Sequence, residues 1–82
     1  MEQTKQNDKG FFKRADAHIF LSNDQINEDC DAGKVSASFM YATARFNAWI
    51  CARGFETAGE MLNSKELMME YFVKEYTNML EQ

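Results

Sequence analysis

The chain has 82 residues, 45% of them hydrophobic and 13% aromatic, with a formal net charge of −4 at pH 7. That aromatic content excludes a disordered chain, and the excess of acids argues against a nucleic-acid binder, which needs clustered Lys and Arg to neutralise phosphates. A chain this short buries only roughly 60% of the surface its unfolded form exposes, so oligomerisation is an expected supplement to its stability.

Residues 1–82 read as a single helical domain with a flexible polar start over 1–7. The segment Met1–Gly10 lacks the apolar core of a secretory signal. No stretch reaches the ~18 uninterrupted apolar residues that a membrane span requires. The expected compartment is therefore the cytoplasm, where Cys30 and Cys51 stay reduced and serve as small packing residues. Charge is unevenly spread. Asp24, Glu28, Asp29 and Asp31 crowd one connection, and six glutamates from Glu56 to Glu81 load the last third. Between Ala32 and Phe55 there is no acid, only Lys34, Arg45 and Arg53.

Proline is absent and no alternating run with a hairpin turn signal occurs, so the predicted fold is all-α. It is a compact bundle of three main helices plus a short connecting helical turn. The first helix is expected over about 8–29, with Asp8 as N-cap. Phe12, Ala15, Ile19, Ser22, Ile26 and Cys30 recur at three- and four-residue steps as its buried face. The acids around Glu28 and then Gly33 end it, with fraying because acids oppose the helix dipole there.

The second helix is expected from Lys34 or Ser36 to Arg53, closed by Gly54 in a left-handed cap. Val35, Phe39, Phe46, Trp49 and Ile50 form its large-residue face, opposite a small-residue face that includes Ala37, Ala44, Ala48 and Cys51. It is the core element. Two capping boxes follow: Thr57 with Glu60 opens a short turn through Leu62, and Asn63 with Glu66 opens the long last helix over about 64–80. At 100° per residue, Met68, Tyr71, Phe72, Tyr76 and Met79 share one side of that helix, widened by Leu67, Met69, Val73 and Leu80. The apolar arc covers roughly 240°, well beyond the stripe a surface helix needs.

The runs Arg14-Ala15-Asp16-Ala17-His18-Ile19 and Lys34 to Ala48 (KVSASFMYATARFNA) resemble a family of small bacterial proteins known only as a domain of unknown function. The likeness extends from about Phe11 to Leu80 and rests on runs of moderate specificity rather than a catalytic signature. It implies a cytoplasmic bacterial protein with a compact helical fold, and it carries no activity, cofactor or catalytic residue.

No residue cluster makes the chain an enzyme, and no cofactor or metal site is expected. His18, the single histidine, lies near Phe11 and Ser22 at the margin of the first buried face, where a packing role outweighs that of base or ligand. One His with two scattered Cys is a poor start for a metal centre. Asp29-Cys30-Asp31-Ala32-Gly33 faintly resembles a calcium loop, but Gly33 falls one position early and Met40 stands where the bidentate Glu belongs. Lys5, Lys9, Lys13 and Arg14 read as a solvated start interleaved with Asp8 and Asp16. Met68 and Met79 fit a core, whereas Met69 fits core and contact surface equally.

Two functional readings follow. The first is a helical interaction or assembly module acting as a homodimer. Its interface is the stripe Met69, Val73, Tyr76 and Leu80, spaced at four, three and four beside the core stripe. The second is a small-ligand-binding domain or minor enzyme with a pocket around His18, Tyr41, Arg45 and Trp49. Glu75 is the odd residue, because it points into the apolar stripe of Met68, Phe72 and Met79. A carboxylate there calls for a cation, and Arg45 or Arg53 from the second helix is the expected partner in a buried ion pair.

Overall fold

The computed structural model describes residues 8–82. The expected flexible start over 1–7, and Lys5 with it, lie outside the described residues. Among them the fold is all-α, with no strand: α1 spans Phe11–Asp24, α2 Ala32–Ala52, α3 Ala58–Asn63 and α4 Lys65–Leu80. Three main helices and one short one match the sequence expectation. The chain divides into two units of local contact, one reaching to Thr43 and one from Ala44 to Gln82, and the boundary falls inside α2.

The first helix is shorter than expected at both ends. Asp8 is not its N-cap. That place falls to Gly10, which offers no side chain, while Asp8 accepts from the Gly10 N–H at 2.8 Å and from the Arg14 guanidinium at 2.7 Å. At the other end α1 stops at Asp24, five residues before the expected limit. The N–H groups of Gln25 and Ile26 turn back to the carbonyls of Ser22 and Asn23. Asn27 then accepts the Asp29 N–H on its side-chain oxygen at 2.8 Å, and its backbone bridges to Cys30. Short polar side chains offer the backbone these local bonds in place of helical ones, and so they stop the helix.

Asp31 opens α2. Its carboxylate accepts the Lys34 N–H at 2.9 Å and its carbonyl takes the Val35 N–H at 3.2 Å, the two bonds of an N-cap. Gly33 therefore sits in the first turn of α2 instead of terminating α1. At the far end Gly54 does not form the expected left-handed cap. No glycine has positive φ among the described residues, and the Gly54 N–H donates to the Cys51 carbonyl at 3.0 Å in a plain turn.

In the first unit, α1 and the start of α2 form a helical hairpin, with the His18 ring 6.2 Å from the Phe39 ring. Val35 is the buried hydrophobic residue here, at 4% exposure. The expected α1 face divides by size: Ala15, Ser22 and Cys30 are half-buried, while Phe12, Ile19 and Ile26 are exposed. The large face of α2 behaves likewise. Phe39, Phe46, Trp49 and Ile50 were expected in the core and are exposed in the single chain. Periodicity identifies the side chains that share a face, but cover depends on a neighbour of sufficient area.

The second unit begins inside α2, at Ala44. Thr57 caps α3, its hydroxyl accepting the Glu60 N–H at 3.1 Å, and Glu60 reaches back to accept the Glu56 N–H at 3.0 Å. This is the expected capping box, with the return bond displaced by one residue. The second expected box does not form. Asn63 ends α3, and Ser64 serves as both C-cap of α3 and N-cap of α4 with no side-chain capping bond. α3 and α4 pack against one another across that single residue.

Candidate functional site

Packing of α4 separates its broad apolar arc into two stripes. Ser64, Met68, Tyr71, Phe72 and Glu75 are half-buried, and all follow three- and four-residue steps from one face. Tyr71 and Phe72 meet edge to face at 5.1 Å on that side. Beside it, Met69, Val73, Tyr76 and Leu80 stand between 51% and 70% exposed. The short α3 contacts α4 and still leaves this second stripe open. Leu67 projects on the opposite edge and is also exposed.

The last turns of α2, in the same unit, present a second apolar patch. Phe46 and Trp49 lie 5.9 Å apart with rings tilted by 41°, and Ile50 adjoins them, all three exposed. Arg53 places its guanidinium carbon 5.0 Å from the centre of the Trp49 ring. Arg45, one turn before Trp49, is exposed. Among the described residues the ion pair formed is Arg14 with Asp8 at 2.7 Å. It holds the Asp8 carboxyl below its ordinary value of 3.8, first through the Arg14 hydrogen bond and then through the Gly10 N–H. Glu75 is half-buried, and within the chain it is joined to neither Arg45 nor Arg53 at ion-pair distance.

The residues of the alternative pocket each have local surroundings. His18 and Tyr41 are exposed in the first unit, with Phe39 as the ring neighbour of His18. Trp49, in the second unit, has Phe46 and Arg53 as its neighbours. The acidic connection is also spoken for, since the Asp31 carboxylate caps α2. Among the described residues no three His, Cys, Asp or Glu side chains gather around a common point for a metal ion. No helix of the described residues is long and apolar enough to cross a membrane.

Phe20 and Leu21 on α1 are further exposed apolar residues, outside every face expected from the sequence. The signal was present in the unbroken run Ile19-Phe20-Leu21, because three successive apolar residues cannot all face one side of a helix.

Over residues 11–82 the chain matches the family described as "Protein of unknown function (DUF3144)", and it belongs to that family. Neither a curated protein nor a solved structure matches it.

Proposed function

We propose that this member of the family is an assembly module that works as a homodimer, with the α4 stripe Met69, Val73, Tyr76 and Leu80 in the contact. The observation carrying this reading is the exposure of all four side chains, each more than half open to solvent in the single chain. Water-exposed apolar side chains in a contiguous row are unfavourable at about 25 cal/mol per Å² left uncovered. A two-fold partner covers such a row most economically, because each copy supplies the same surface to the other. The reading also accounts for how few of the described side chains are buried, since small domains commonly complete their core by association. It places the module in the cytoplasm, where Cys30 and Cys51, both free and half-buried, remain thiols.

Sedimentation equilibrium of the wild type and of Val73→Glu tests the proposal. The wild type is expected to show a dimeric mass at micromolar concentration, and the variant a monomeric one. A wild type that stays monomeric at high micromolar concentration overturns the homodimer. A variant that remains dimeric removes the α4 stripe from the contact.

A further inference from the structure

The exposed stripe of α4 has two unlike edges. At about 100° per residue, Met69, Val73, Tyr76 and Leu80 centre on one line, and the residues within about 90° of that line fall into two groups. On one edge stand Glu66, Thr77 and Glu70, with Glu81 just beyond them, and on the other stand Lys65, Phe72 and Met79. Lys65, Glu66, Glu70 and Glu81 are all exposed, and among the described residues none of them is at ion-pair distance within the chain. One edge is therefore acidic, and the other is apolar with a cation at its start.

Two-fold symmetry decides which edges meet. When two copies of a helix lie side by side in the same direction, each edge faces the opposite edge of the partner. When they run in opposite directions, each edge faces its own equivalent. An antiparallel pair centred between Val73 and Tyr76 would make Glu66 and Glu70 of one copy bracket Glu81 of the other, like charges on one edge and twice over. A parallel pair instead sets Lys65 of each copy against Glu66 and Glu70 of its partner, and Phe72 against Thr77. Unlike charges across an interface fix its register and suppress the wrong arrangement.

The spacing agrees with the charge. With Val73 and Leu80 at the a positions of a heptad and Met69 and Tyr76 at d, Lys65 falls at g and Glu70 at the following e, the flanking positions whose charge pairs set the orientation of paired helices. A β-branched residue at a, here Val73, also suits a parallel two-stranded pair. Glu66 takes the a position of the first turn, at the exposed start of α4, where the partner's Lys65 lies beside it. We infer that the occupant of the α4 stripe is the same stripe of a second copy running in the same direction, with Lys65 of each copy between Glu66 and Glu70 of the other. This inference rests on the homodimer proposed above. The aligned helix dipoles oppose it, but they act within the first and last turns and are screened by salt.

Disulfide trapping in the full chain separates the two directions. Met69→Cys and Leu80→Cys are each made with Cys30→Ser and Cys51→Ser, and a disulfide forms only where Cα atoms come within about 7 Å. In the parallel pair each position lies opposite its own copy, so each variant alone is expected to give a covalent dimer under mild oxidation. In the antiparallel pair each position is about 16 Å along the helix from its copy, and only a mixture of the two variants cross-links. That result overturns the parallel direction although the homodimer stands. Adding Val73→Glu should slow each cross-link at least about tenfold, and a rate it does not move marks chance collision and overturns the pairing.

Charge variants made with the native cysteines give a second readout should the serine background fail to fold. Lys65→Glu and Glu70→Lys, each alone, are expected to weaken dimerisation about threefold or more, and their equimolar mixture should sediment as a tighter dimer than either. If the single variants are silent, or the mixture is no tighter, Lys65 does not face Glu70 and the inference fails. A wild type that is monomeric at high micromolar concentration leaves the stripe to a different protein and overturns both this inference and the homodimer.

Discussion

Arg53 lies over the face of Trp49, its guanidinium carbon 5.0 Å from the ring centre, while its own N–H donates to the Trp49 carbonyl at 3.1 Å. Side chain and backbone of one residue thus both close the last turn of α2. An exposed cation–π contact of this kind is worth about 0.5–1 kcal/mol. It leaves Trp49 55% exposed, on a helix that the α4 contact does not include. Trp49 emission is therefore expected to resemble a solvated indole in dilute solution and to stay so as concentration rises through the dimerisation range. A blue shift that follows the sedimentation mass would place Trp49 inside the contact.

The two ends of α3 make a matched pair. Thr57 caps with its hydroxyl and Ser64 caps nothing with its own. Thr57→Ala is expected to cost about 0.5–2 kcal/mol, whereas Ser64→Ala should stay within about 0.5 kcal/mol of wild type. Denaturant melts at one fixed protein concentration compare them. Equal losses would mean that the Thr57 hydroxyl contributes no more than a surface group.

At the connection before α2, Asp31 uses its carboxylate on the Lys34 N–H, whereas Asp29 enters its turn through backbone N–H alone. Asp31→Ala should lower stability by about 1 kcal/mol and Asp29→Ala by little. Amide exchange at Lys34 should quicken in the first variant only. Unchanged exchange at Lys34 would remove Asp31 as the cap.

Asp8 gives a pH dependence of known sign. Its folded carboxyl titrates below the ordinary 3.8, chiefly because Arg14 hydrogen-bonds the charged form. A depressed folded pKa contributes order above the unfolded value and loses it as pH falls through the folded one. The start of α1 should therefore keep its Asp8–Arg14 contact at pH 5 and release it below 3.8. In Arg14→Met, carboxyl NMR titration should show Asp8 moving back toward its ordinary value. A midpoint unaffected by that change would mean that the Gly10 N–H alone holds the anion.

Much of the helical layout was legible in the residues. The absence of proline, the Thr57–Glu60 spacing and the apolar steps from Met68 to Leu80 identified the helices and most of the division of α4 into stripes, with Met79 the exception: expected in the core, it is exposed in the last turn. Misreadings concentrated at residues whose polar side chains can serve either neighbour. Asp31 and Gly33 looked like the end of one helix, but a cap residue three positions before Lys34 is equally the start of the next. Asn63 and Ser64 are both favoured cap types, so residue type did not decide between them, and Ser64 takes the place without using its hydroxyl. The aromatic face of α2 was read correctly as a face and wrongly as an interior. Its period is a property of one helix, and its burial is a property of whatever lies opposite.

The hydrogen bonds that build and cap α1 to α4 join residues no more than six positions apart, the longest being Asp8 with Arg14. Every turn of helix can therefore form from its own neighbourhood, on the microsecond timescale of local structure and without waiting for distant segments to meet. What remains after that is a search for cover over faces such as Phe46, Trp49 and Ile50, which α2 cannot bury within itself. If that cover comes from another molecule, the last phase of refolding is second order. Its half-time should then shorten in proportion as the chain is made more abundant.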